Sequence, residues 1–448
     1  MSTTLAAMAR PRKRFFIEMF TRDISLNDCI LDLVDNAVDG FVRQRGVDLT
    51  DPIAAVGSGI EPARISIKLD ADEIAISDNC GGIPLELALK EVFNFGHGES
   101  HDNTGQLGAY GIGLKRAIFK IGKLFEMTSR TRKDGFRVTV NLDDWAKNDQ
   151  TLEDWSFPLT PIAGAASDDQ TGTSIIVRGL HPDIKTLLGT SAFRNTLTLS
   201  ISRTYALFLD HFVKLDIDST PVTATQIPVA SETEFTPSRE SWDENGVSVT
   251  LMATLMPRTS DTSWQSESAG WYVICNGRAV LSADRTDITG WNTPGLMPIF
   301  HSSKHRGFVG LAIFASKDPL LLPWTTTKRG LNRESTVFLR ARERMGKVAS
   351  PILALFNKVY SSDETKEVPD MDRIAQGDVS TLIARGSPNV NFAPSATVRI
   401  KSTTHVQYDA ENADLVLIRK RLRNPGMAAS QIGIHTLGYF LKQEGLKR

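Results

Sequence analysis

Residues 25–41 read SLNDCILDLVDNAVDGF, and two helical patterns overlap in this stretch. Apolar residues at three- and four-residue intervals predict an amphipathic helix from Ile24 to about Phe41. A second stripe on another face is acidic and consists of Asp28, Asp32, Asp35, Asn36 and Asp39. Carboxylates four residues apart repel each other on a helix. This face is therefore either a solvated acidic surface or the wall of a pocket that holds a hard cation such as Mg²⁺.

A carboxylate next to a glycine turn follows the helix. The alternating runs ARISIKL and EIAISD predict paired strands, and the second run ends at Asp78 in the sequence ISDNCGGIP. Glycines in such a turn let the backbone approach a flat ligand closely. The alternative is an ordinary turn.

Residues 96–113 contain six glycines and little hydrophobic periodicity, which is typical of a functional loop. We predict a helix before this loop, through LELALKEVFNF, and another after it, through LKRAIFKIGKLF. The segment GAYGIGLK, residues 108–115, opens the second helix. Free backbone N–H groups at such a position bind phosphate, although the segment also fits a simple loop and matches neither the P-loop nor the dinucleotide fingerprint.

The remaining patterns predict three domains. Strand-like runs through FRVTVNL and TSIIVRGL complete a mixed sheet backed by helices in residues 1–200. A second set in residues 201–362 comprises VKLDI, VSVTLMATL, WYVICNGRAV and FVGLAIF, followed by a helical stretch from Ser335 to Tyr360. The irregular stretches SSDETKEVPD and ARGSPNVNFAPS predict linkers in residues 363–448, which end in a small helical module.

Composition indicates an ordinary globular protein. The 448 residues are 41% apolar and 23% charged, which excludes wholesale disorder and disulfide-framework miniproteins. The formal charge is -1, so partners have to be inferred from local charge. Three well-separated cysteines fit a reducing cytoplasm, and no run of eighteen apolar residues or secretory signal pattern occurs. We expect a cytoplasmic protein that does not span a membrane.

The order of these features resembles that of the GHKL ATPases, the group that includes gyrase, the heat-shock chaperone ATPase, histidine kinases, and the mismatch-repair and MORC proteins. DLVDNA, residues 32–37, resembles their N-box, and Asp78–Gly82 resembles their D-x-G-x-G box. Gly108–Gly113 resembles the G-x-x-G-x-G box, and Gly172-Thr173 resembles the last motif. The glycine loop is most similar to that of the MORC branch. The resemblance implies an α+β fold, with a Bergerat-type ATPase sandwich, that binds ATP and Mg²⁺.

The resemblance also implies roles for individual residues. Asn36 would coordinate Mg²⁺, Asp78 would accept a hydrogen bond from the adenine amino group, and Thr173 would support Asp78. Asp32 would be the catalytic base, and Lys115 would either reach a phosphate or be a solvated helix lysine. The other residues expected to bind nucleotide are Asp35, Gly82, Ile83, Gly108, Tyr110, Gly111, Ile112, Gly113 and Leu114.

Two positions depart from the family pattern. Asp32 stands where most members carry a glutamate, and a side chain one methylene shorter changes the reach of the base toward water. This puts turnover in doubt. Cys80 replaces the first glycine of its box, whereas Gly82 is retained.

The second predicted domain also resembles part of a GHKL protein. WYVICNGRAV resembles a strand of the transducer domain in the gyrase and mismatch-repair branches. PWTTTKRG, residues 323–330, resembles their lysine loop. By this resemblance Lys328 is catalytic and contacts the γ-phosphate, although a surface Lys-Arg pair is the alternative reading.

Four functions are compatible with some or all of these motifs. We expect an ATPase switch that dimerises with ATP and acts on DNA or a partner protein, and the alternative is a nucleotide-binding scaffold with little hydrolysis. A histidine kinase is disfavoured because the N-box lies almost at the N-terminus and a lysine loop is present. A complete gyrase is disfavoured because no further domain is long enough for its metal-binding part. The resemblance to the family is the only basis for a biological role of the protein, and it suggests antiviral defence or DNA maintenance.

Both ends of the chain carry basic residues. Residues 397–448 contain nine Lys or Arg and four acidic residues, giving a net charge of +5, and they fit a helix-turn-helix-like unit. This module could contact nucleic acid or a partner protein, and the alternative is a solvated helical docking module. The N-terminal cluster of basic residues predicts either an arm that contacts DNA or a second protomer, or a disordered tail. The cluster consists of Arg10, Arg12, Lys13 and Arg14.

Overall fold

The structure is a computed structural model that describes residues 12–50, 60–95, 107–108, 111–151, 153–209, 211–231, 235–257, 266–360, 365–369, 374–384, 393–394, 397–401, 406 and 408–446. The chain divides into two compact units. The first comprises Met1–Tyr360 and Glu367–Arg399, and the second comprises Ser361–Lys366 and Ile400–Arg448.

An eight-stranded mixed sheet forms the N-terminal half of the first unit, with strand order β5-β4-β3-β6-β2-β1-β7-β8. All neighbouring strands are antiparallel except β1 and β7, which run parallel. The strands are β1 (Ala63–Leu69), β2 (Glu73–Asp78), β3 (Gly122–Arg130), β4 (Asp134–Asn141), β5 (Leu159–Ala163), β6 (Gly172–Leu180), β7 (Val213–Ile217) and β8 (Thr220–Val222). This mixed sheet with its helices confirms the predicted α+β class.

Helices accompany this sheet. They are α1 (Lys13–Arg22), α2 (Leu26–Arg45), α3 (Leu85–Leu87), α4 (Gly113–Ile121), α5 (Leu142–Lys147), α6 (Pro182–Leu188), α7 (Ser191–Thr204) and α8 (Ala206–Leu209). A π-helical turn over Ala88–Val92 continues α3. Contacts join α2 to α4, α7 and β1, so α2 lies at the centre of the helical layer.

Local sequence explains both ends of α2. The Ser25 hydroxyl accepts a hydrogen bond from the Asp28 N–H and the Asp28 carboxylate accepts one from the Ser25 N–H, which is a capping box. Gly46 ends the helix in a left-handed conformation with φ 66°, which glycine adopts readily. The apolar stripe of the helix is buried in the core, as predicted.

Two assignments from the sequence were wrong. VKLDI was expected in the second domain, but as β7 it pairs in parallel with β1 in the first sheet. The first sheet therefore continues beyond residue 200. The helix expected through LKRAIFKIGKLF ends at Ile121, and β3 starts at Gly122 because pairing with β4 and β6 on both sides overrides the local helical pattern.

A five-stranded sheet follows, with strand order β11-β12-β15-β13-β14. Two short strands, β9 (Val229–Ala230) and β10 (Phe235–Thr236), precede this sheet in the sequence. The five strands of the sheet are β11 (Ser238–Glu244), β12 (Val247–Leu255), β13 (Gly270–Cys275), β14 (Arg278–Asp284) and β15 (Phe308–Ala315). Helix α9 (Thr336–Val359) packs against β11, β12 and β15 and buries its apolar face, as the sequence predicted.

Short elements occupy the rest of the described chain. They are β16 (Thr365–Pro369), β17 (Gln376–Gly377), α10 (Val379–Ala384), β18 (Ala393–Pro394), β19 (Thr397–Lys401), α11 (Asn412–Arg421) and α12 (Ala429–Gln443). The two expected linkers therefore contain short strands, and the remainder of each falls largely outside the described residues. Helices α11 and α12 match the predicted helical module. Among the described residues no helix is long and apolar enough to cross a membrane.

The N-terminal basic cluster is not a uniform arm. Arg10 lies outside the described residues, whereas Lys13 and Arg14 begin α1. Lys13 is fully buried, and its ammonium lies 3.8 Å from the centroid of the Trp145 ring. For Lys13, both the arm that contacts DNA or a second protomer and the disordered tail are therefore wrong, because its buried side chain anchors α1 to the rest of the first unit.

Candidate functional site

One cavity of about 360 Å³ collects the predicted site residues from distant parts of the sequence. Its walls come from α2, β2, the segment that leads into α4, β6 and the loop after β15. The predicted residues that line it are Asp32, Asn36, Asp78, Gly82, Ile83, Gly108, Gly111, Ile112, Gly113, Leu114, Lys115, Thr173 and Lys328. Tyr110 lies outside the described residues. Asp35 is not among the lining residues.

Asp78 lies at the end of β2, where hydrogen bonds fix its carboxylate. Its Oδ1 accepts a hydrogen bond from the N–H of Cys80, at 2.8 Å, and from the N–H of Thr173, at 3.3 Å. Burial raises the pKa of Asp78 to about 6, against the lowering effect of these two bonds. The support expected from Thr173 is therefore direct and comes from its backbone, while its hydroxyl lies 2.9 Å from that of Ser129.

Close backbone packing explains two glycines of the motifs. A Cβ on Gly82, which has φ +71°, would lie 2.1 Å from the carbonyl oxygen of Arg130. A Cβ on Gly172, which has φ +139°, would lie 1.9 Å from the carbonyl oxygen of Asp78. Side chains at these positions would push apart the strands that shape the pocket around Asp78.

Asp39 fixes the segment that enters α4. Its two carboxylate oxygens accept hydrogen bonds from the N–H groups of Leu107, at 2.5 Å, and Gly108, at 2.7 Å. Burial raises the pKa of Asp39 to about 7, although both hydrogen bonds lower it. A Cβ on Gly108 would lie 2.9 Å from Asp39 Oδ2, so glycine permits this approach. The sequence placed Asp39 on the acidic stripe without a role at the site.

Asp32 makes a buried ion pair. Its Oδ2 accepts a hydrogen bond from an Arg116 guanidinium nitrogen at 2.7 Å, and both side chains are less than a tenth exposed. A Cβ on Gly113 would lie 3.2 Å from the Asp32 side chain, so the start of α4 packs directly on this carboxylate. Arg116 was not predictable as the partner of Asp32, because the two residues lie 84 positions apart in the sequence.

Lys115 is a buried cation at the cavity. It is 2% exposed, and its ammonium donates a hydrogen bond to the carbonyl oxygen of Val92 at 3.0 Å. Burial lowers the pKa of Lys115 to about 7. The alternative of a solvated helix lysine is therefore wrong.

Asp35, which the resemblance assigned to nucleotide binding, is not among the residues that line the cavity. It is fully buried, and its carboxylate contacts the Tyr205 hydroxyl, the Arg278 guanidinium and the Lys328 ammonium. Lys328 is 5% exposed and lines the cavity. The alternative prediction, a surface Lys-Arg pair, is therefore wrong for Lys328. The sequence identified Lys328 but not the partners of Asp35.

The donor groups of the cavity fit a nucleotide with a hard cation. Asn36 is exposed between buried neighbours on α2, and it lines the cavity, where its amide oxygen is the type of ligand that Mg²⁺ accepts. Lys115, Arg116 and Lys328 provide cations on the same walls. The Asp78 carboxylate provides an acceptor, and apolar side chains such as Ile175 complete the lining.

A family comparison agrees with this arrangement. A family model described as "Histidine kinase-, DNA gyrase B-, and HSP90-like ATPase" matches residues 24–173, about a third of the chain. No curated protein matches the chain. The matched range contains α2, the Asp78 turn, the glycine segment and Thr173, which are the parts that form most of the cavity wall. Residues 24–173 are therefore similar to a GHKL-type ATPase domain.

Proposed function

We propose that the chain is a Mg²⁺-dependent ATPase that hydrolyses ATP slowly and uses its nucleotide state to dimerise and to act on DNA or a partner protein. The observation that carries this proposal is the convergence of all four sequence motifs, together with Lys328, on one cavity. Residues as far apart as Asp32 and Lys328 meet there only in the folded chain.

At the base end, Asp78 accepts a hydrogen bond from the amino group of adenine. Guanine carries an oxygen at that position, so it leaves the buried acceptor unpaired, at a cost of about 1–3 kcal/mol. Backbone hydrogen bonds from Cys80 and Thr173 orient the carboxylate before the nucleotide enters. The base pocket therefore selects adenine over guanine.

At the phosphate end, N–H groups at the start of α4 and the cations Lys115 and Lys328 face the negative charge. Lys328 contacts the γ-phosphate and neutralises charge that develops during transfer. Asn36 would hold Mg²⁺, and the bound ion would supply further charge neutralisation on the phosphates.

Asp32 orients and deprotonates the attacking water. Its contact with Arg116 fixes one oxygen of the carboxylate, and the close packing of Gly113 restricts the side chain further. A fixed carboxylate with one oxygen toward water is the geometry that a general base requires.

The same ion pair supports a second candidate function, a nucleotide-binding scaffold with little hydrolysis. Asp32 is one methylene shorter than the glutamate of most relatives, and the Arg116 contact engages it at 2.7 Å. If the carboxylate stays engaged when nucleotide is bound, ATP controls conformation and dimerisation without rapid turnover.

Hydrolysis by an Asp32→Asn variant tests the catalytic proposal. We expect phosphate release to fall by about 10²–10⁴-fold, the usual contribution of a positioned base, while ATP affinity is retained. Solution mass measured with ADP and with a non-hydrolysable ATP analogue tests dimerisation in the same preparation. Phosphate release unchanged by the substitution would remove Asp32 from the mechanism.

An Asp78→Ala variant is the matched control because it acts at the other end of the cavity. It should lose ATP binding and hydrolysis together. A wild-type chain that binds ATP tightly but releases no phosphate would favour the scaffold. Equal monomer masses with both nucleotides would contradict ATP-dependent dimerisation.

A further inference from the structure

A buried polar cluster joins the ATPase domain to the second sheet at Asp35, behind the cavity wall. Asp35 Oδ1 lies 3.0 Å from Arg278 Nε, and Asp35 Oδ2 lies 2.6 Å from Lys328 Nζ. The side chains of these three residues are at most 6% exposed. Asp35 comes from α2, whereas Arg278 begins β14 and Lys328 follows β15.

Each member of the cluster is fixed by a second contact. Arg278 also donates a hydrogen bond to the carbonyl oxygen of Lys328 at 2.7 Å, so it holds both the carboxylate and the backbone of the lysine. The Tyr205 hydroxyl lies 2.6 Å from Asp35 Oδ1 and 2.8 Å from the carbonyl oxygen of Leu31. Lys328 itself has φ 53°, a left-handed conformation that the surrounding contacts have to maintain.

The geometry explains how the protein accommodates a carboxylate at a buried position. The Arg278 guanidinium and the Lys328 ammonium contact its two oxygens, so the buried acid is paired with cations on both sides. An ammonium has three N–H donors, and the contact with Asp35 uses one of them. Lys328 therefore keeps donors for an anion in the cavity that it lines.

We propose that Asp35 is the positioning residue for Lys328: Tyr205 and Arg278 hold its carboxylate, and the carboxylate holds the ammonium at the cavity wall where a γ-phosphate binds. This inference rests on the proposed ATP-binding function and assigns a role in the reaction to three residues outside the cavity. It predicts that Asp35 affects only nucleotides that carry a γ-phosphate.

Nucleotide affinities of an Asp35→Asn variant test the proposal. Loss of a charge-assisted contact should weaken binding of a non-hydrolysable ATP analogue by about 10-fold or more. ADP lacks the phosphate that Lys328 contacts, so its affinity should change by less than about twofold. An equal loss of affinity for both nucleotides would overturn the positioning role, since a general structural defect has that effect.

A double-mutant cycle with Lys328→Met sharpens the test. If Asp35 acts through Lys328, adding Asp35→Asn to Lys328→Met should weaken analogue binding little further. The same loss in both backgrounds would show that Asp35 acts independently of the lysine. Lys133→Met, at an exposed lysine that is not among the cavity-lining residues, is the control background in which Asp35→Asn should keep its full effect.

Removal of the Asp35 charge leaves two buried cations, which can impair folding. Tyr205→Phe keeps both ion pairs and removes one hydrogen bond, so it is the milder variant. We expect it to weaken analogue binding by about 2–5-fold with no change for ADP. Thermal unfolding of each variant shows whether the fold is intact before the affinities are compared.

A measurement without nucleotide separates this inference from the proposed function. Lys328 should react slowly with an amine-acetylating reagent in the wild-type chain, and several-fold faster in Asp35→Asn, with Lys133 as an internal reference for the mass spectrometry. Unchanged reactivity of Lys328 would reject the positioning role. A wild-type chain that binds neither ADP nor the ATP analogue would instead reject the proposed function.

Discussion

Lys115 differs from an ordinary lysine because the free protein holds it in a buried site at the cavity. Its pKa is lowered to about 7 by burial. A phosphate beside the ammonium would favour the charged form and raise that pKa again. Nucleotide binding should then be linked to proton uptake, and the affinity should fall as the pH rises above about 7.

We predict that ATP binding at about pH 8 takes up most of one proton and that Lys115→Met abolishes this uptake. Calorimetry in buffers with different ionisation enthalpies measures the number of protons directly. Lys120→Met is the matched control, because Lys120 lies on the same helix but not among the cavity-lining residues. Equal proton uptake in wild type and Lys115→Met would show that Lys115 does not contact phosphate.

Residue roles could be predicted from sequence where a motif encodes a local geometry. Asp78 and Gly82 belong to one turn, and the structure places both at the cavity. The surroundings of Asp35 could not be predicted in this way, since its partners Tyr205, Arg278 and Lys328 lie 170 to 293 positions away. A motif specifies the residue, whereas the tertiary fold specifies which atoms its side chain contacts.

At the scale of elements, α1 depends on a buried cation. The Lys13 ammonium donates hydrogen bonds to the carbonyl oxygens of Trp145 and Asp154 and lies over the Trp145 ring. Phe16 adds edge-to-face contacts with Phe95 and Trp155. These contacts hold a ten-residue helix against α4, whose first turn lines the cavity, and against α5.

We predict that Lys13→Met weakens the docking of α1 by about 1–3 kcal/mol, because two buried carbonyl groups lose a charged donor and the ring loses its cation. Faster amide hydrogen exchange across Lys13–Arg22 would report the effect. Arg14→Met is the control, since the Arg14 side chain is 89% exposed and pairs only with Glu18 among the contacts described. Exchange that is the same in both variants would contradict the anchoring role.

Element types were predictable where the hydrophobic period is long and the ends carry capping residues. Helix α2 has a continuous apolar stripe, a capping box at Ser25 and a terminal glycine at Gly46. Strand membership was not predictable in the same way. VKLDI alternates like any half-buried strand, and its parallel pairing with β1 depends on contacts across about 150 residues, which a local pattern does not contain.

At the scale of the whole molecule, charge is unevenly distributed. The near-zero net charge averages an acidic α2 with a C-terminal segment of net charge +5. Exposed Lys420 and Arg421 end α11, and exposed Arg423 follows two residues later. Exposed apolar side chains at Ile434 and Phe440 on α12 also fit a protein partner, so the salt dependence of binding has to distinguish the two kinds of target.

Replacement of Lys420, Arg421 and Arg423 by Gln in the full chain tests whether this module binds DNA. If all three contact phosphates, duplex binding should weaken for every sequence, and the slope of log K against log salt should fall by about 3. Fluorescence anisotropy at several salt concentrations measures both quantities. The same substitution of exposed Lys133, Arg137 and Lys214 in the first unit removes equal charge and should leave the slope nearly unchanged. Equal slopes in wild type and the module variant would direct the search to a protein partner for α11 and α12, because counterion release requires contact with phosphates.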